Sequence, residues 1–346
     1  MSDSIAQIIA RLPKCELHLH IEGCLEPELM LRLADRNKVP LRYRTIEAVR
    51  AAYNFTNLKS FLDIYYEGTS VLRRGEDYYD LASSYFAKAA EQNVRHAEVF
   101  FDPQTHTSRG IPFEAVLDGL SEACEDAHRN RKVSSGLILC FLRHLSADAA
   151  MDTLRQALHF KEKIIGVGID SYEVGNPAAK FAAVFKQARR HGFLCVAHAG
   201  QEGPASYVSE ALRELKVKRI DHGVRSLEDP TLVKRLASGR IPLTVCPLSN
   251  VRLGLFPDMQ SHCLKKMLER NLLVTINSDD PAYFGGYVNE NFVAAADALK
   301  LTRDDVVLLA RNSFEASFLS GEDKAAGLRE IAAVTGKGSR PWPAGS

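Results

Sequence analysis

Short apolar runs of strand length recur along the chain, each separated from the next by stretches with helical periodicity. They cover residues 15–20, 96–101, 135–141, 164–170, 193–199, 219–223, 242–247 and 272–279. Most are continuous and rich in β-branched or aromatic residues, as in Phe193-Leu-Cys-Val-Ala-His-Ala199, which suits parallel strands covered on both faces. The intervening segments are amphipathic. Residues 77–93 place Leu81, Tyr85, Ala89 and Ala90 on one stripe, and residues 146–161 open on Ser146, a residue type suited to capping a helix N-terminus. Eight such strands alternating with helices predict an α/β fold of the (β/α)8 barrel type. The stretch 26–93 exceeds one crossover and is expected to hold extra helices after the first strand. A doubly wound open sheet would need a Gly-rich first turn, which the sequence lacks. With no Pro-, Gly- and Ser-rich linker before the end of the chain, one domain is expected over 1–335, followed by a flexible tail over 336–346.

Charge and composition narrow the function. The chain carries 44 Lys+Arg against 43 Asp+Glu, a formal net charge of +1, so nothing suggests a nucleic-acid partner bound through clustered cations. Apolar stretches such as 136–142 are far shorter than the roughly 20 residues of a membrane span. The seven cysteines are odd in number, widely spaced and mostly set in apolar runs, a pattern of reduced buried thiols. The first residues carry neither a basic n-region nor an apolar core. A cytoplasmic protein with no membrane or nucleic-acid partner is expected. Nothing in the sequence sets an oligomeric state.

In a (β/α)8 barrel the catalytic groups sit at the C-terminal ends of the strands. Those ends carry His18 and His20, Asp102, Arg143 and His144, Asp170 and Glu173, His198, His222, Ser249 and Asn250, and Asp279 and Asp280. Strand alternation puts His18 and His20 on one face. Joined by His198 and Asp279, they make a borderline nitrogen and oxygen ligand set that suits one Zn²⁺ and leaves room for a water. Zinc lowers the pKa of such a water to about 7. His222 and Asp280 are then the candidates for taking its proton and holding the nucleophile.

The strings Glu-Leu-His18-Leu-His20-Ile-Glu-Gly, Phe100-Phe-Asp-Pro-Gln-Thr-His106, Asp170-Ser-Tyr-Glu-Val-Gly175, His198-Ala-Gly-Gln-Glu-Gly-Pro204, Ile220-Asp-His-Gly223, Cys246-Pro-Leu-Ser-Asn250 and Asn277-Ser-Asp-Asp-Pro-Ala-Tyr-Phe-Gly-Gly286 resemble the adenosine/adenine deaminase family of metal-dependent amidohydrolases. They resemble most its adenine deaminase branch, in order from about residue 12 to about residue 320. The resemblance implies a barrel with one zinc on His18, His20, His198 and Asp279, with His222 assisting the hydroxide and Asp280 contacting both nucleophile and purine. It also implies hydrolytic loss of a 6-amino group, from adenine to hypoxanthine and ammonia: hydroxide adds to C6, N1 is protonated and ammonia leaves. His20, Asp170 and Glu173 are expected to face the purine, with Glu173 accepting the N9–H of a free base.

One position departs from the family pattern. The proton donor to N1 is a Glu in the family motif and Gln201 here. An amide can donate a hydrogen bond to N1 but cannot hand over a proton. Three readings follow: a Glu→Gln change that preserves shape and traps a ligand, a natural deaminase of an N6-substituted or other aminopurine, or a catalytically impaired purine-binding member. Elsewhere, Tyr172 is read as pocket-facing or packed against helices, and Asp102, His106 and Asn250 as support for the mouth. Cys246 is expected to be buried, and Phe55, Phe61, Tyr65 and Tyr66 to form an aromatic packing stripe. Arg219 is expected to join Lys216 and Lys218 in a solvated basic patch.

Overall fold

The computed structural model describes residues 3–336. Eight parallel strands follow one another around a barrel in chain order: β1 (Lys14–His20), β2 (Val94–Phe101), β3 (Ser134–Leu142), β4 (Ile164–Asp170), β5 (Leu194–Ala199), β6 (Arg219–His222), β7 (Leu243–Val245) and β8 (Val274–Ile276). The expected (β/α)8 barrel is therefore the fold. β7 and β8 are shorter than the apolar runs, and one side-chain and two backbone hydrogen bonds beyond β8 close the barrel onto β1. Leu17 N donates to Asn277 Oδ1 (2.8 Å), His20 N to Asp279 O (3.0 Å) and Asp279 N to His18 O (3.1 Å). Asp279 thus joins the last strand to the first, and its side chain is fixed by the closure of the barrel itself.

Helices cover the outside. The one at Ala147–Leu158 starts where the sequence places it, with Ser146 Oγ accepting from Ala149 N at 3.1 Å. The long connection after β1 holds the helices Pro27–Asn37, Ile46–Ala52, Leu58–Gly68 and Gly75–Glu91. Apolar side chains between strands and helices form the main core. A second cluster, Phe100, Ile138, Cys140 and Val196, fills the barrel interior.

Below that cluster the interior is ionic. Arg219, expected on a solvated patch, is wholly buried. It pairs with Glu98 and Asp221 and donates to Leu17 O at 3.0 Å. Arg219 and Asp221 lie two apart on β6, so both point inward, and the two carboxylates offset the cost of burying the cation. All seven cysteines are unpaired and six are buried. No described helix is long and apolar enough to cross a membrane. The expected tail lies outside the described residues from 337 onward.

Candidate active site

Four side chains meet at the C-terminal mouth, each fixed by its strand end. His18 and His20 come from β1, His198 from β5 and Asp279 from the turn after β8, and their ligand atoms lie within 4.8 Å of one another. Asp279 Oδ1 is 3.1 Å from His18 Nε2 and 3.5 Å from His20 Nε2. His20 Nε2 and His198 Nε2 are 3.2 Å apart. Asp279 and His222 adopt left-handed backbone conformations, φ 63° and 65°. Such conformations cost on the order of 1 kcal/mol or more for a residue with a side chain, and here they accompany the sharp turns that bring both side chains into the mouth.

The outer nitrogen of each imidazole defines which nitrogen faces inward. His198 Nδ1 faces the carbonyl of Ile169 at 3.0 Å, an acceptor, so it carries the proton. His20 Nδ1 faces Asp170 Oδ2 at 3.5 Å. His18 Nδ1 meets Thr244 Oγ1 at 3.0 Å, and that hydroxyl gives its one proton to Asp221 Oδ1 at 2.9 Å, so Nδ1 is the donor. Three Nε2 lone pairs and a carboxylate therefore converge. His18 Nε2 is fully buried without a hydrogen-bond partner, which a protein rarely tolerates unless something else fills the coordination. The set fits a metal ion of the zinc type. Burial opposes ionisation of Asp279, but the imidazoles of His18 and His222 hold it well below the usual carboxylate range.

His222 is oriented differently. Leu264 N donates to His262 Nδ1 (3.1 Å), leaving His262 Nε2 to donate to Asn250 Oδ1 (3.1 Å), and Asn250 Nδ2 then donates to His222 Nδ1 (3.3 Å). The His222 proton sits on Nε2, 3.8 Å from Asp279 Oδ2. His222 accordingly presents a donor to the centre rather than a lone pair. Cys246 lies near the same group, but burial and then Asp279 push its thiol well above its ordinary pKa, as befits a packed neutral group. Ser249 Oγ donates to Asp279 Oδ2 at 2.6 Å.

Above this floor lies a pocket lined by Asp102, Asp170, Gln201 and Asp280 and roofed by Leu58, Phe61, Leu62, Tyr65, Tyr66 and Phe284. The aromatic stripe of the insertion thus both packs and forms the roof. Gln201 is 5% exposed and lines the pocket. Asp280 is raised well above its ordinary pKa by burial and then by Asp279. It presses against Gly23, where a Cβ would lie 2.1 Å from Asp280 Oδ1, so only glycine fits.

Glu173 is not where the sequence reading expected it. Its carboxylate accepts backbone N–H groups from Gly200 (2.6 Å), Gln201 (3.0 Å), Glu202 (2.8 Å) and Gly203 (2.7 Å), and it does not line the pocket. Held there by four backbone amides and away from the pocket lining, it braces the loop that carries Gln201 rather than meeting N9–H. Arg143 is likewise a brace, donating to Asn176 O and to His198 O (2.8 Å). Tyr172 packs edge-on against the His144 ring. Besides Asp279 and Asp280, the carboxyl groups that face the pocket are Asp102 and Asp170, and three of the four oxygens of this pair have no hydrogen-bond partner.

The profile of the adenosine deaminase family matches residues 13–334. The chain belongs to that family. Among its relatives, the adenine deaminase of Acinetobacter baylyi is 57% identical over 326 residues, 94% of this chain and 98% of that one. The adenine deaminase of Hahella chejuensis is 59% identical over 314 residues, 91% and 94% of the two chains. The crystal structure of adenine deaminase from Arthrobacter aurescens superposes with a TM-score of 0.93 at 47% identity, covering 94% of this chain and 99% of that one. An amidohydrolase from Burkholderia ambifaria, solved with bound zinc, gives 0.88 at 27% identity, covering 97% and 95%.

Within this deaminase-family barrel the structure brings His18, His20, His198, His222, Asp170, Gln201, Asp279 and Asp280 together at one mouth. Sequence reasoning did not single out Thr244, Asp221 or His262. Thr244 is 226 residues from His18, and only its place two residues before the strand-end Cys246, on the inward face, marks it.

Proposed function

We propose that the chain is a zinc-dependent aminohydrolase that adds water across C6 of adenine and releases hypoxanthine and ammonia. The observation that carries this reading is the convergence of three imidazole lone pairs and the Asp279 carboxylate beneath a pocket lined by Asp102, Asp170, Gln201 and Asp280. His18, His20, His198 and Asp279 would hold one zinc ion, which would supply Lewis acidity able to lower the pKa of a water to about 7. The chain's own groups do the rest. His222 donates from Nε2 and orients the attacking oxygen. Asp280, beside Asp279 and lining the pocket, holds the proton taken from that oxygen. Gln201 donates an amide N–H toward N1, which fixes the ring but transfers no proton. The aromatic roof of Phe61, Tyr65 and Tyr66 covers the base and keeps bulk water out.

The free base is preferred over a nucleoside because Asp102, which lines the pocket and whose Oδ1 is buried without a partner, accepts its N9–H. A ribose at N9 removes that hydrogen and leaves the oxygen unsatisfied, a penalty of about 1–3 kcal/mol. The buried unpaired thiols fit a reducing, cytoplasmic setting.

The test is direct: the zinc-loaded protein is incubated with adenine, and hypoxanthine and ammonia are quantified. Equimolar release of the two supports the reading. Tight binding of both zinc and adenine with no hypoxanthine overturns it.

A further inference from the structure

Under the three imidazoles runs a buried chain of polar groups that the reaction does not touch. His18 Nδ1 meets Thr244 Oγ1 at 3.0 Å, and Thr244 Oγ1 donates to Asp221 Oδ1 at 2.9 Å. The same Asp221 oxygen is 3.4 Å from Arg219 Nε, and Arg219 pairs with Glu98 on β2. Glu98 also accepts from Phe318 N at 2.5 Å and faces His96 Nε2 at 3.3 Å. The other Asp221 oxygen has no hydrogen-bond partner and lies 3.8 Å from His198 Nδ1. Glu98, Arg219, Asp221 and Thr244 are all 0% exposed.

We propose that Thr244 and Asp221 are positioning residues for the metal centre: the Thr244 hydroxyl, its proton committed to Asp221, holds His18 as the Nδ1–H tautomer and aims its Nε2 lone pair at the site. This rests on the metal-centre part of the function proposed above. A hydroxyl has one proton. Thr244 Oγ1 donates to the Asp221 oxygen that faces Arg219, so the His18 contact runs from Nδ1–H to Oγ1. The orphaned Nε2 of His18 is the outcome of that bond direction. One cation, Arg219, lies against two carboxylates, Glu98 and Asp221. The floor therefore carries an excess negative charge beneath His18 and His198, which favours a cation held above them. Metal-ligating imidazoles with such a partner on their outer nitrogen typically lose 10–100-fold in metal affinity when the partner is removed.

The experiment is a zinc titration by chelator competition on the full chain, with no activity readout. Thr244→Val keeps the branched shape and removes the hydroxyl, and is expected to weaken zinc binding 10–100-fold. Thr244→Ser restores the hydroxyl and is expected to bind within threefold of the native protein. Should Thr244→Val bind within threefold of native, or Thr244→Ser bind as poorly as Thr244→Val, the proposal is overturned. A second readout is independent of how well the Val variant folds. In the metal-free native protein, ¹⁵N spectra of labelled histidine are expected to show His18 protonated on Nδ1, and a proton on Nε2 contradicts the assignment. Absence of deamination in a protein that binds zinc tightly would count against the reaction while leaving this inference intact.

Discussion

The Nε2 atoms of His20 and His198 lie 3.2 Å apart, while their Nδ1 atoms face Asp170 and the carbonyl of Ile169. Two lone pairs at that distance repel each other unless a metal ion or a shared proton lies between them, so removing the metal should cost the fold as well as the reaction. Zinc at a hundred times its dissociation constant would add about 2.7 kcal/mol of stability. Dialysis against a chelator is expected to lower the melting temperature, and stoichiometric zinc to restore it. His198→Ala keeps three ligands and should show a clearly smaller zinc-dependent rise in melting temperature than the native protein; an undiminished rise in that variant would show that His198 is misassigned.

Glu173 accepts four backbone N–H groups, and its worth lies in keeping both oxygens as acceptors. Glu173→Gln turns one of them into a donor facing other donors. A loss of roughly 1–3 kcal/mol in denaturant unfolding is expected, with a lower turnover as the loop of Gln201 loosens. The ratio of activity on adenine to that on adenosine should stay the same. A selective gain for adenosine would return Glu173 to the purine-binding role.

The pocket-facing carboxylate assigned to the free base is Asp102, whose Oδ1 is buried without a partner. Asp102→Asn keeps the shape and replaces an acceptor by an amide. The KM for adenine is expected to rise about tenfold or more, equivalent to about 1.4 kcal/mol, with kcat changed much less. An unchanged KM would exclude Asp102 from base recognition.

What the sequence made legible and what it did not divides by physical type. Buried parallel strands are continuous apolar runs, and their polar ends stand out against them, so the barrel and the convergence of His18, His20, His198 and Asp279 were readable without coordinates. Arg219 was misread because a cation at the start of a strand looks solvated until its interior partners are known. Glu98 lies 121 residues away on β2. Glu173 was misread for a related reason, since its partners are backbone amides and no residue type announces them. Thr244 and His262 act through hydrogen bonds to residues remote in the chain, and neither carries a charge that would draw attention to it.

His262 makes the fold sensitive to acid. Burial pushes its pKa from 6.5 down to about 4, and its neutral form is required because Nδ1 accepts from Leu264 N. Above pH 6.5 the ring is neutral folded or unfolded. Between 6.5 and about 4 the unfolded chain takes up a proton that the folded chain refuses, so stability falls as pH falls, by about 3 kcal/mol in all. In the zinc-loaded protein, the His262 ring resonances should titrate near pH 4. A midpoint at 6 or above would contradict the bond directions that fix His222.

The central claim is a hydrolytic purine deaminase whose rate is limited at residue 201, and the decisive measurement is the steady-state rate of hypoxanthine formation from adenine by zinc-loaded native protein beside Gln201→Glu. General acid catalysis is worth about 10²–10⁴ in rate. The account predicts slow conversion by the native chain, a rise of at least 10²-fold in the variant, and little activity of either on adenosine. A gain of less than tenfold, or no hypoxanthine from either protein with zinc bound, would contradict it.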